Sequence, residues 1–359
     1  MLPYWILFAI PAMLALRERP VKSISSEKWS QLWVLMFLLV MLMVGLRHQV
    51  GADWFTYIEH IRYKQNVTLY QALNWNEPGY NILNWIAAHY DFGIYFVNLV
   101  CGIFFAWGLV AFCIAQPRPW LAMVIAVPYL VIVVAMGYSR QGVAIGFGMF
   151  GLVALQNRKF IHFVFFLLLA ILFHKSAVVL IPLAALANSK KKLWNGFWTV
   201  CLALVFYSTF IESSLSVYEH GYIDSKYQSA GAFIRLLMNC VPALLFLLFR
   251  HRFVIPKEQK SLLSLFTLLS VVSLSLFLWL FLTSSSTMVD RLGLYLIPLQ
   301  ILILGRVPDA FGRVGGTNQN AVLSVVLYSA GVLFVWLFFA LHSEAWLPYQ
   351  FYPFVWLSE

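Results

Sequence analysis

Charge is scarce in this chain. Only 11% of its 359 residues are Asp, Glu, Lys or Arg, while 62% are hydrophobic and 17% aromatic, far from the profile of a soluble globular protein. No polar stretch is long enough for a soluble domain, which excludes a multidomain soluble enzyme. Cysteine is nearly absent as well. Cys101, Cys113, Cys201 and Cys240 all fall in apolar runs without metal-ligand spacing and read as small hydrophobes in helix packing. Also missing are a phosphate-binding glycine loop, an HExxH pair, a nucleic-acid-binding motif, an internal repeat and the short alternating strands of a β-barrel. The first apolar run, 2–16, has no positive charge before it, and Arg17, Arg19, Lys22 and Lys28 follow it. A cleaved signal peptide has the opposite polarity, so a retained helix is expected.

What is present is a succession of apolar runs of membrane-crossing length. The pattern predicts an all-α fold, a polytopic transmembrane helical bundle forming a single integral membrane domain over 1–359. About twelve segments are expected, near 2–16, 29–46, 92–114, 119–136, 139–155, 160–173, 176–187, 193–211, 232–249, 261–282, 289–305 and 320–342. The region 160–187 reads as one long helix or as two short arms broken at Phe173-His174-Lys175-Ser176. Basic residues flank it on both sides, at 156–159 and 188–192, and the positive-inside rule puts both flanks in the cytoplasm. Only a hairpin allows that. Each arm is then short for a hydrocarbon core of about 30 Å, so a re-entrant or tilted pair is expected.

With that hairpin, loops 17–28, 116–119, 156–159, 188–192, 250–260 and 306–319 lie inside and hold 16 of the 24 Lys and Arg. The outer side holds the other 8, with 10 of the 14 Asp and Glu. In a bacterial inner membrane that outer side is the periplasm. The net charge of +10 then reflects inner-loop cations meeting anionic membrane lipids, not nucleic acid.

The outer cations run against this bias. Arg47 ends the second segment, Arg140 sits in the tight turn Tyr138-Ser139-Arg140-Gln141, and Lys175 lies at the hairpin tip. Arg235 and Arg291 open two later segments. A cation in the first turn of a helix opposes the helix dipole, at a cost of roughly 0.3–1 kcal/mol. An anionic ligand at that level would offset the cost, with arginine forks suited to phosphate oxygens. The plain alternative is snorkelling to headgroups, or pairing with acids such as Asp53 or Asp290.

The outer loop 47–91 contains two expected amphipathic helices. One is built on Trp54, Phe55, Tyr57, Ile58, Ile61 and Arg62; the other starts at Glu77-Pro78-Gly79-Tyr80, with proline in the first turn. Trp54, Trp75 and Trp85 suit sugar stacking as well as an interfacial aromatic belt. A second outer loop at 212–231 carries Tyr218, His220, Tyr222, Asp224, Lys226 and Tyr227. The segment 343–359 is aromatic enough to lie on the outer interface.

Five patterns then take on meaning together. These are Arg47-x-x-Val50-Gly51-x-Asp53-x-x-x-Tyr57, Glu77-Pro78-Gly79-Tyr80, Ser139-Arg140-Gln141, His174-Lys175-Ser176-Ala177 and Asp290-Arg291-x-x-x-Tyr295. In this order and topology the chain resembles the EpsG/Wzy class of integral-membrane polysaccharide polymerases, over nearly its whole length. The resemblance implies a metal-independent, cofactor-free glycosyltransferase of the membrane-embedded C type. Such an enzyme joins undecaprenyl-pyrophosphate-linked oligosaccharide units into O-antigen, capsule or exopolysaccharide on the periplasmic face. It also implies a flippase and a chain-length regulator as partners.

On that basis Arg140, Arg291 and Lys175 are expected to clamp the pyrophosphate, with Arg47 joining them or orienting Asp53. Asp53, His174 and Glu77 are the candidate bases for the acceptor hydroxyl. Their plain alternatives are a salt bridge to Arg47 for Asp53, a hairpin-tip cap for His174 and a helix cap for Glu77. Trp54, Tyr57, Trp75, Tyr138, Gln141 and Tyr295 are candidates for glycan contact. A paired-carboxylate glycosidase leaves the cations unexplained. Three rivals remain. An O-antigen ligase is expected to carry its large outer loop late in the chain, and a lipid-linked oligosaccharide flippase would show repeats and midplane charges. A membrane acyltransferase would use His174 but would not call for four outer cations.

Overall fold

The computed structural model describes residues 1–20, 29–186, 229, 231–253, 255, 260–283 and 286–358. The expected segment 193–211 and nearly all of the loop 212–231 lie outside the described residues. What is described is a helical bundle, laid down wherever the sequence runs apolar. α1 (Leu2–Arg17) and α2 (Gln31–Gly45) lead to a two-residue strand β1 (Arg47–His48) and three helices of the polar loop, α3 (Trp54–Lys64), α4 (Leu69–Leu73) and α5 (Pro78–His89). Then come α6 (Gly93–Ile114), α7 (Pro119–Ala126) with a π-helical continuation (Val127–Ala135), α8 (Ser139–Gln156) and α9 (Phe160–Phe173). The C-terminal half holds α10 (Ala232–Leu248), α11 (Lys260–Leu280), α12 (Ser286–Leu294), α13 (Ile297–Leu304), α14 (Val307–Phe311) and α15 (Gln319–Phe339). A strand β2 (Gln350–Phe351) and α16 (Tyr352–Ser358) follow.

Among the described residues, α6, α15 and the stretch of α11 from Leu262 are each long and apolar enough to cross a membrane. α12 with Ile297–Phe311, bent by 43°, makes a fourth. The remaining apolar helices are shorter. α9 has 14 residues, about 21 Å of α-helix. The arm that returns from it, Lys175–Leu186, is a 3-10 helix of 12 residues, about 24 Å long. Both fall short of a 30 Å hydrocarbon core, the geometry expected of the hairpin, and the break falls at His174.

Two polar layers bracket the bundle. Near the start of α6, Asn98 accepts a hydrogen bond from Arg47; just past its end, Gln116 accepts one from Arg306. The residues between them span about 27 Å of helix, close to one bilayer thickness. At the Gln116 end, buried Arg118 forks onto Asp309 at 3.0 and 2.8 Å, and Glu18 accepts from the Trp120 and Leu121 amides that open α7.

Close packing rests on small residues. A Cβ on Gly108 of α6 would stand 2.2 Å from the Gly146 carbonyl oxygen of α8, so the two backbones meet there only because both residues are glycine. Pro128, at the start of the π-helical stretch, has no N–H to donate, which loosens the ladder just ahead of Tyr138 and Arg140. Large apolar side chains face outward from α1, α2, α9, α10, α11 and α15, a distribution suited to lipid.

The 343–359 segment does more than lie on a surface. β2 pairs antiparallel with β1, Arg47 opposite Phe351 and His48 opposite Gln350. Trp346 is 1% exposed, donates to the Ile132 carbonyl at 2.7 Å and accepts on its own carbonyl from the Tyr4 hydroxyl. In α16, Phe354, Trp356 and Leu357 are exposed.

Candidate functional site

The N-terminus of α8 is the hub. The Ser139 amide donates to the Tyr57 hydroxyl at 3.1 Å, which docks α3 against α8. The Ser139 hydroxyl accepts from Arg47 at 2.7 Å, and the Gln141 amide donates to the Arg291 carbonyl at 2.7 Å, which ties α8 to α12. Between these anchors the Arg140 side chain projects with 30% exposure and meets Glu77 Oε2 at 2.7 Å. Its guanidinium also stands 5.6 Å from the centre of the buried Tyr80 ring.

Glu77 does not cap α5. It sits at the N-cap with φ of 62°, and its carboxylate makes no capping bond. Instead it bridges Arg140 on one oxygen and His174 Nδ1, 3.2 Å away, on the other. Pro78 and the turn thus serve to aim a carboxylate inward. His174 lies between the two arms of the hairpin, with the Ser176 hydroxyl 2.8 Å from its Nδ1. Burial, reinforced by the charges of Arg140, Arg291 and Lys175, pushes its pKa down to about 3, so the ring is neutral. Tyr295 is buried beside Ser176 and Glu77.

Asp53 closes the group at the start of α3. Burial raises its pKa, opposed by the nearby charges of Arg140 and Arg291 and by the Tyr57 hydroxyl. Arg291 itself is exposed and takes part in no ion pair among the described residues. Five segments therefore converge: α3 with Asp53, the α5 start with Glu77, the α8 start with Arg140, the hairpin tip with His174 and Lys175, and α12 with Arg291.

Two of the outer cations, Arg47 of the expected clamp and Arg235 outside it, are committed elsewhere. Arg47 is 1% exposed and spends its N–H groups on the Val44 and Val50 carbonyls, Asn98 and Ser139. It forms no ion pair with Asp53, and burial leaves it no route to a ligand. Arg235 forks onto Asp290, 2.6 Å at both oxygens, as in the pairing alternative.

The expected glycan contacts divide in the same way. Trp54 is buried against His48 and Tyr95, and Tyr57, Gln141 and Tyr295 are buried too, so none presents a face to a sugar. Tyr138 is partly exposed between the Arg235–Asp290 pair and Asp53. Trp75 is 40% exposed.

Sequence reasoning missed two residues. His60 is partly buried, its pKa lowered by burial and by the charges of Arg140 and Lys64. Tyr80 underlies Arg140. The signal for His60 was there: Asp53, Tyr57, His60 and Lys64 recur at helical spacing along one face of α3.

A multi-helix membrane protein with a charged cluster drawn from five segments, three of them supplying its cations, is the class this fold and site define. The chain belongs to the EpsG family, whose model matches residues 31–351. Membership points to a polysaccharide polymerase-type membrane protein. No curated protein and no solved structure matches the chain.

Proposed function

We propose that this protein is a glycosyltransferase of the bacterial inner membrane that polymerises undecaprenyl-pyrophosphate-linked oligosaccharide units on the periplasmic face. The polymer would be an O-antigen, capsule or exopolysaccharide. About twelve membrane segments in a C-type glycosyltransferase-like arrangement present the site outward, where a flippase supplies units and a chain-length regulator acts on the product. The observation that carries this reading is the gathering of Arg140, Arg291 and the Lys175 charge around Asp53, Glu77 and His174, with Arg291 exposed and in no ion pair among the described residues.

In the reaction, the acceptor hydroxyl oxygen attacks the anomeric carbon of the lipid-linked chain. The bond from that carbon to the pyrophosphate oxygen breaks, and the leaving group departs with its charge held by Arg291, Arg140 and Lys175. The hydroxyl proton passes to Asp53. Asp53 is the better base because its carboxyl is raised toward neutrality, whereas His174, at about 3, holds a proton too weakly. A pyrophosphate competes with Glu77 for Arg140 and releases the Glu77 carboxylate toward His174.

Arg291→Ala tests this directly. Its side chain takes part in no ion pair among the described residues, so the protein is expected at wild-type levels in the membrane while polymer formation falls by about a hundredfold or more. Polymer of normal amount and length from that variant refutes the site.

A further inference from the structure

The stripe Asp53–Tyr57–His60–Lys64 runs away from the cationic cluster for about 16 Å along α3. At its far end Lys64 is 2% exposed, and its Nζ has no hydrogen-bond partner among the described residues. No carboxylate pairs with it among the described residues. The nearby Glu59 is taken by Arg62 at 2.6 Å. The ammonium instead rests 3.2 Å from the centre of the Trp75 ring, under a roof completed by Tyr63. A buried cation compensated only by ring faces is costly to hold, and burial drops the Lys64 pKa to about 8. Both covering rings are themselves well exposed, and Trp75 sits in the turn between α4 and α5.

An exposed aromatic beside an anion-seeking ammonium is the chemistry that recognises a sugar carrying a carboxylate: the pyranose stacks on the ring while the carboxylate takes the ammonium. We propose that Lys64, Trp75 and Tyr63 form a subsite for an acidic sugar, at the end of a lane that leads along α3 to the reacting centre. This rests on the polymerase reading and deepens it by naming the class of repeat unit, one containing a uronic acid or similar carboxylated residue. Engagement requires Trp75 or Tyr63 to swing aside.

The test is isothermal titration calorimetry of the full-length protein in phosphatidylcholine nanodiscs with trigalacturonate and, separately, neutral maltotriose. Trigalacturonate is expected to bind about tenfold more tightly, the worth of one charge-assisted hydrogen bond. Lys64→Met, which keeps the stem over Trp75, should abolish that preference, and Lys64→Arg should retain it as a check on folding. Arg62→Ala, which removes an exposed cation on the same helix, should leave it unchanged. Equal binding of the two sugars, indifference to Lys64→Met, or an equal loss in Arg62→Ala overturns the subsite. Arg291→Ala should still bind trigalacturonate, so failure of the clamp and failure of this subsite give different results.

Discussion

Arg47 donates into four partners and is sealed from solvent, while Arg291 keeps its guanidinium in the open and lends the site only its backbone carbonyl and its charge. The same residue type therefore answers differently to the same substitution. Arg47→Ala leaves buried acceptors unpaired and is expected to cost about 3–5 kcal/mol, seen as loss of folded protein by fluorescence-detected size exclusion. Arg291→Ala should leave that profile unchanged.

Asp53 makes a second prediction at this scale. Its carboxyl must be ionised to take a proton, and its pKa is raised, so polymerisation should climb with pH along a limb lying above the ordinary carboxylate range of about 4. Asp53→Asn should remove that limb and lower the rate by about 10²–10⁴, measured with purified enzyme and lipid-linked substrate. Activity in His174→Ala that keeps the wild-type limb would assign it to Asp53. The charge pattern made Arg140, Arg291 and Asp53 legible as candidates. It could not reveal that Arg47 is walled in, because that depends on Asn98 and Ser139 from two other helices.

At the scale of elements, the helices follow the apolar runs so closely because each is driven by its own side chains. The expected starts of α6, α8 and α9 fall within a residue of those observed. The break at His174 was likewise readable, its place from the polar His174-Lys175-Ser176 within the apolar run and the choice of two arms from the basic flanks. β1 and β2 were not. A two-residue strand has no periodicity, and its pairing depends on a partner about three hundred positions away. The turn before α5 shows the intermediate case, since proline announced the helix but not where the Glu77 carboxylate would point.

The Trp346 side chain is the peg of this long-range joint. It is packed edge-on against Trp336 and over Gly137, where any Cβ would lie 2.6 Å from its ring. Trp346→Ala should cost about 3–5 kcal/mol and lower the thermal midpoint in detergent, with a parallel loss of activity through Gly51 and the β1 register. Unchanged melting would show that the joint is not holding the 47–91 loop.

For the whole molecule, the two polar layers about one bilayer apart predict sidedness. A cysteine at Asn76, near Glu77, should react with a membrane-impermeant thiol reagent in intact cells. One at Asn157, beyond the far end of α8, should react only after lysis; the reverse pattern would invert the topology. Composition made the membrane class legible at once, since so little charge leaves few alternatives. The number of crossings is less directly written, because several arms are shorter than a bilayer and are supported by neighbouring helices instead of by their own length.

The pairing of β1 with β2 also has a consequence in time. Membrane helices enter the bilayer in the order in which they are synthesised, so α2 and the loop that carries Asp53 and Glu77 are delivered early. The backbone bonds that fix that loop, from Gly51 to the Ala345 carbonyl and from Tyr352 to the Leu46 carbonyl, need residues made about three hundred positions later. The site's first wall therefore waits, unlatched, until those later residues have been made and folded back, and any shorter nascent chain holds Asp53 and Glu77 on an unfastened loop.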